Sequence, residues 1–397
     1  MSVIPFLIIG AGPAGLAAAI AYGKGAVILE GNSEAGKKLL LSGSGQCNFT
    51  NNLPREDFLR ACRKAGPFLK PAIYGYGSDF FIDLLSKAGC ASLVREDGKV
   101  FPASLKAAQV RDALLKTALG RGAEIIYETR VLEVVKQKRS FLVRTETQAY
   151  QAEKLLLACG GSSWSQTGSQ GDGYVFAAAL GHKINSVRPA LASVETEETN
   201  SFSYCAGSTV EQVEAVFLTA SGKHKDTGDL LFTHRGLSGP LILNNSYLLS
   251  AGDVIRIHLL PQAEALVSKA LEQNTQRLVL NALRGLPLTE AIMASVLHYL
   301  GIYTDTLVTS LSKKQIHKLT GFLQAAEFYV KKVESLETSM STAGGVLLSE
   351  VEAGSMQSRV VNGLFLAGEV LDYALPSGGF NIQAAFSTGW LAGVSAL

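Results

Sequence analysis

Three short stretches hold the side chains best suited to chemistry. LSGSGQCNFTNN, residues 41–52, sets Cys47 among small polar residues and two glycines. Such a loop can cradle a phosphate, present a thiol as nucleophile or proton donor, bind a metal, or simply turn the chain. FTHRGLSGP, residues 232–240, puts His234 beside Arg235, a proton carrier next to a planar donor suited to phosphate or carboxylate. SGGFNIQAAFSTG, residues 377–389, places two glycines ahead of an apolar helical run. No His or Cys stands at ligand spacing from Cys47, so no metal site is expected. The five cysteines include no CxxC pair, and the N-terminus lacks a basic export region. Reduced thiols in the cytoplasm are expected.

The elements that must position these groups begin at residues 3–9, an apolar run expected as a buried parallel strand. GAGPAG follows, with Gly10, Gly12 and Gly15, then a short helical run closed by Gly23 and Gly25, then the strand AVILE ending in Glu30. In this order the glycines read as a dinucleotide loop. Gly10 permits the tight turn, Gly12 the approach of backbone to a pyrophosphate, and Gly15 close packing of helix on strand. The helix N-terminus, with Pro13 and Ala14, offers N–H groups to the phosphates. Glu30 is expected to accept from ribose hydroxyls, which favours NAD or FAD over a 2′-phosphorylated dinucleotide.

Residues 55–90 read as helices, Asp97-Gly98 as a hairpin turn, and residues 104–120 as an amphipathic helix. AEIIY, RVLEVV, SFLVRTE and KLLLACGG read as strands, the last ending at Gly160-Gly161. Alternation in QVEAVFLTA and DVIRIHLL marks a small all-β unit. ALVSKALEQNTQRLVLNAL and LTEAIMASVLHYLGI read as helices, and AEFYVKKVESLE as a strand returning to the β unit. GLFLAG, ending at Gly368-Glu369, and the helix after Gly379 read as the other half of a dinucleotide fold. The N–H groups near Gly379, Phe380, Asn381 and Ile382 would stabilise negative charge on a reduced flavin. With one GxGxxG, NADH or NADPH is expected only as a transient donor. The fold class is α/β: a Rossmann-like dinucleotide-binding unit (1–187 and 338–397), a small all-β unit (188–260 and 326–337) and a run of helices (261–325).

The chain has 397 residues, 47% hydrophobic and 18% charged, with a formal net charge of +2. That composition describes a globular protein, and the balance alone points to neither nucleic acid nor membrane. No long unbroken apolar run suggests a membrane span.

GKKLLLSGSGQCNFTN, DGKVFPAS, CGGSSWSQTGSQGDGYVFAAALGH, LFTHRGLSGP and MQSRVVNGLFLAGEVLD with SGGFNIQAAFSTG resemble, in order, the BaiN/RdsA flavoprotein family. The resemblance implies a Rossmann-like FAD-binding domain with an inserted β-barrel-like domain and a small helical domain, at the bounds given above. It implies FAD as cofactor, with Lys38, Ser42, Gly43, Gly45, Cys47, Asn48, Val131 and Glu369 joining the glycines above as cofactor contacts. It implies an RdsA-type reductase that converts uridine to dihydrouridine in 23S ribosomal RNA or its precursors. Cys47 or His234 would give the proton and Arg235 would grip an anionic group. The alternative within the resemblance is a flavin oxidase or reductase of a small metabolite, such as an aminoacetone-like amine or an enone. A third reading is an FAD-bound protein whose helical part binds a partner such as the ribosome. Two departures stand out: Gln46 where many members have Arg, and DYALPSGG after GEVL. Oligomeric state is left open.

Overall fold

The computed structural model describes residues 3–397. It divides into two compact units, one running to Pro189 and resumed by Leu336–Leu397, the other Ala190–Ser335.

The first unit is built on a seven-stranded sheet. At its centre lies β1 (Ile4–Ile9), whose Phe6, Leu7 and Ile8 are fully buried. Pro5, which lacks an N–H, has no partner in either register. β1 runs parallel to β2 (Ala26–Leu29) on one side and to Ala149–Leu157 on the other. Glu124–Ile126 extends the sheet beyond β2, also parallel. On the other flank Phe141–Thr145 pairs antiparallel with the first half of Ala149–Leu157, and Val131–Lys136 pairs antiparallel with Phe141–Thr145. The second half changes partner: Leu155, Leu156 and Leu157 pair in parallel with Leu364, Phe365 and Leu366.

Helix α1 (Pro13–Tyr22) connects β1 to β2 and ends at Gly23, whose φ is 80°. The C-terminal helix Phe380–Ser395 crosses it at very close range. A Cβ on Gly389 would lie 2.1 Å from the Ala14 carbonyl oxygen, and one on Gly393 would lie 2.3 Å from that of Ala18. Two glycines facing two alanines, each pair four residues apart, let the backbones touch where larger side chains would hold them apart. The two chain ends expected to fold together thus do so. A small three-stranded sheet of Thr50–Asn51, Lys99–Pro102 and Ser92–Val94 completes this unit, the last two joined through Gly98 at φ 77°.

In the second unit Val194–Thr196, Gly236–Ser238, Gly222–Thr233, Thr209–Thr219, Val254–Ile257 and Ala326–Val333 close into an antiparallel barrel. Ala215, Phe217, Phe232, Ile255 and Phe328 fill it. The helical residues expected as a separate domain share that apolar core through Val267, Leu271, Val296, Leu319 and Leu323. The single helix expected from ALVSKALEQNTQRLVLNAL is two, Ala263–Glu272 and Val279–Ala282. The polar run Asn274-Thr275-Gln276 between them supplies no apolar face for the core to hold. Among the described residues no helix is long and apolar enough to cross a membrane.

Candidate active site

The dinucleotide loop sits at the carboxyl end of β1. Gly10 has φ +103°, and a Cβ there would lie 2.6 Å from the Ala158 carbonyl oxygen. A Cβ on Gly15 would lie 1.9 Å from the Gly10 oxygen, whereas one on Gly12 would meet nothing within 4 Å. Two glycines are therefore required by packing and the third faces open space. α1 has no side-chain cap, so its first-turn N–H groups are not served by a side chain. Glu30 is buried at the end of β2. Its Oε2 accepts from the Ala11 N–H at 2.8 Å, and its Oε1 from the Asn32 N–H at 2.9 Å and Nδ2 at 2.7 Å. The carboxylate locks the loop in shape and keeps lone pairs for a further donor.

The loop bearing Cys47 follows the helix Lys37–Leu41. Its chain turns through left-handed conformations at Gly43, Ser44, Gly45 and Cys47. Ser42 Oγ donates to the Leu39 carbonyl at 2.6 Å. Cys47 is fully buried, and burial pushes its thiol up to about 12, with Cys90 adding to the rise and Ser42 opposing it. It remains a protonated thiol at neutral pH. Asn48, oriented by its neighbours, donates to the carbonyls of Thr50 and Val100 and accepts from the Gly379 N–H at 3.2 Å. Asn51 Nδ2 donates to the Gly378 carbonyl at 3.2 Å. A Cβ on Gly379 would lie 2.4 Å from the Thr50 oxygen. The cysteine-bearing segment and the N-terminus of the C-terminal helix are thus one assembly. That helix, like α1, begins at a glycine without a side-chain cap. Phe380 packs its ring 4.6 Å from that of Phe58, while Asn381 clamps the preceding turn through the backbone of Leu375 and Pro376. Ile382 is partly buried in the same first turn.

A polar clasp joins the two ends of the unit. Lys38 Nζ lies 2.6 Å from Glu369 Oε2 and 2.6 Å from Ser163 Oγ. Glu369 Oε1 accepts from Ser341 Oγ at 2.8 Å and the Thr342 N–H at 2.9 Å. Burial works to raise the Glu369 carboxyl, but the Lys38 ammonium and these hydrogen bonds outweigh it and hold the group below the usual range. Thr342 Oγ1 in turn accepts from the N–H groups of Ser162 and Ser163, just past Gly160 and Gly161. Ser163, Ser341 and Thr342 escaped the sequence reading: each is a single hydroxyl far along the chain from its partners. Gly368 has φ +77°, and a Cβ there would lie 3.0 Å from that of Ala14, so the end of the C-terminal strand abuts the start of α1. Val131, buried, opens its strand next to Arg130, whose guanidinium pairs with Asp172 at 2.9 Å.

His234 and Arg235 belong to the second unit, at the exposed turn between the barrel strands Gly222–Thr233 and Gly236–Ser238. Thr233 Oγ1 accepts from the Arg235 N–H at 3.3 Å and donates to the Gly236 carbonyl at 3.0 Å. Gln46 accepts from Arg95 Nη2 at 2.9 Å, so a guanidinium stands beside position 46 although the residue there is glutamine.

The model of the HI0933-like protein Rossmann domain matches residues 4–395. The chain belongs to that family. It is 30% identical to the 3-dehydro-bile acid delta(4,6)-reductase of Clostridium scindens over 98% of both chains. It is also 30% identical to the ribosomal RNA dihydrouridine synthases of Haemophilus influenzae, over 98% of this chain and 97% of that one, and of Escherichia coli, over 97% and 96%. Among solved structures it shares its fold with a flavocytochrome c3 fumarate reductase (TM-score 0.53, 16% identity, 98% of this chain and 77% of that one). It shares it also with a 3-ketosteroid-delta4-(5alpha)-dehydrogenase from Rhodococcus jostii (TM-score 0.51, 14% identity, 99% and 96%). The HI0933-like chain is an FAD-dependent oxidoreductase with a Rossmann-type FAD-binding domain. Its residues fit the cofactor: open space at Gly12, and two uncapped helix N-termini in one unit suited to the pyrophosphate and to a negatively charged ring.

Proposed function

We propose that the chain is an RdsA-type reductase that converts uridine to dihydrouridine in 23S ribosomal RNA or its precursors, in the cytoplasm. One chemistry common to the relatives carries the reading. A uracil C5=C6 bond is conjugated to its C4 carbonyl, and the delta(4,6) bonds of a 3-dehydro-bile acid to the C3 carbonyl. Each is reduced by hydride at an electrophilic carbon of the conjugated system, C6 of the uracil or C5 or C7 of the dienone, and a proton at the neighbouring carbon nearer the carbonyl. Bound FAD, reduced by transiently docked NADH or NADPH, supplies the hydride. The loop around Gly12 and the first turn of α1 hold its pyrophosphate, and Glu30 its ribose. The Cys47 loop and the helix start at Gly379–Asn381 seat its ring, with Lys38, Glu369, Gly160, Gly161, Gly368 and Val131 as further contacts. Cys47 is buried and its proton is tightly held, which favours solvent over this thiol as the donor to C5.

Quantifying dihydrouridine in 23S ribosomal RNA by mass spectrometry, with and without the gene, tests the reading. Loss of the modification is expected, and an unchanged level refutes it. The bile-acid reductase relative, at the same identity, supports a second reading, reduction of a small enone. Anaerobic reoxidation of the NADPH-reduced protein by a steroid dienone but not by a 23S fragment would favour that one.

A further inference from the structure

Arg95 lies on the hairpin between Ser92–Val94 and Lys99–Pro102, and three contacts fix it. Its guanidinium carbon sits 3.9 Å over the centre of the Phe101 ring. Its Nη2 donates to Gln46 Oε1 at 2.9 Å. Its backbone closes the turn, the N–H donating to Lys99 O and the carbonyl accepting from Gly98 N, both at 2.9 Å. The same Phe101 ring lies 3.7 Å from where a Gly43 Cβ would be, so one aromatic plate underlies both the arginine and the cysteine-bearing loop. The hairpin is tied to that loop through the Phe49 N–H to Val100 O at 3.0 Å and the Asn52 N–H to Gly98 O at 2.8 Å.

Other exposed arginines meet a carboxylate: Arg55 meets Asp79, Arg60 Asp57, and Arg144 Glu133. Among the described residues Arg95 has no ion-pair partner. On its own hairpin Asp97 is held by Lys99 at 2.6 Å, and the Arg95 charge acts on it only at longer range. Arg95 thus presents a full positive charge, four unused N–H donors and a fixed plane at the exposed edge of the loop. Its side-chain ordering is already complete, so capturing an anion costs little further entropy.

We propose that Arg95 is a substrate-orienting residue that grips a phosphate of the RNA strand next to the reactive uridine. The inference rests on the ribosomal RNA reading above. Gln46 and Phe101 hold the guanidinium plane, and a phosphate accepts two parallel N–H bonds from its outer edge.

The test is steady-state reduction of a 23S RNA fragment, with NADPH as reductant, by the FAD-loaded protein and its Arg95→Ala and Arg95→Lys variants, over a range of salt concentrations. Arg95→Ala raises KM about tenfold with kcat within about twofold, and lowers the salt slope by about one phosphate contact. Arg95→Lys keeps the charge without the stacked fork and recovers only part of KM. FAD content and melting temperature stay at the parent values. Lower FAD content or melting temperature with an unchanged KM would make Arg95 a support for the loop and overturn the proposal. So would a parent-like KM and salt slope in Arg95→Ala while the parent converts the fragment; the ribosomal RNA reading would then survive alone. A parent protein that neither binds nor converts the fragment sinks both.

Discussion

The dinucleotide loop separates two glycines of one motif by what they do. Gly12 has φ −79° and ψ −175°, backbone that any residue adopts, and a Cβ there has open space. Gly12→Ala should therefore leave the apoprotein as stable as the parent, or raise it by about 0.4–1 kcal/mol through the lost freedom of the unfolded chain. The added methyl occupies the surface offered to the pyrophosphate, so FAD affinity should fall at least about tenfold, roughly 1.4 kcal/mol. Gly15→Ala should instead act on the apoprotein itself. Its Cβ would lie 1.9 Å from the Gly10 oxygen, so α1 must move away from β1. About 1–3 kcal/mol of stability should go, as for an overpacked core. Urea unfolding of the two apoproteins reads the first quantity, and titration with FAD followed by flavin fluorescence reads the second. A Gly12→Ala protein that binds FAD like the parent would remove the pyrophosphate from this loop. A Gly15→Ala apoprotein as stable as the parent would remove the packing argument.

Lys38→Met should strand the Glu369 carboxylate. The two side chains keep 25% and 17% of their surface exposed, so the cost should be about 2–3 kcal/mol, below that of a fully dry pair; apoprotein urea unfolding checks it. His182 is buried between Glu350 Oε2 at 3.0 Å and Ser358 Oγ at 2.8 Å. Burial lowers its pKa more than Glu350 raises it. A depressed folded pKa means its contribution is complete above the unfolded value of about 6.5 and is lost as pH falls through the folded one. Melting temperature against pH should drop over that window and drop less in His182→Gln.

Much of the first unit was legible because its local rules are strict. The spacing of Gly10, Gly12 and Gly15 between two apolar runs admits few other structures, and Gly23 closes α1 where its left-handed turn requires. The Asp97-Gly98 turn was legible for the same reason. The clasp of Lys38, Ser163, Ser341, Thr342 and Glu369 was not, since hydroxyls drawn together from distant segments leave no periodicity. The pairing of Thr50–Asn51 with Lys99–Pro102 was equally hidden, because two residues are too few to alternate. Arg95 carries no signal in the sequence, since only the fold lays Phe101 and Gln46 against it.

The partner change along Ala149–Leu157 bears on how the polypeptide matures at the ribosome. Residues 155–157 emerge with one flank unpaired, because Leu364–Leu366 are still untranslated. The barrel and its helices, contiguous from Ala190 to Ser335, are entirely synthesised in the interval. The inserted unit is therefore free to mature first, while a row of leucines waits with open amides, a template for mispairing. A nascent chain stalled between residues 335 and 364 would hold a complete second unit and a first one still missing a strand.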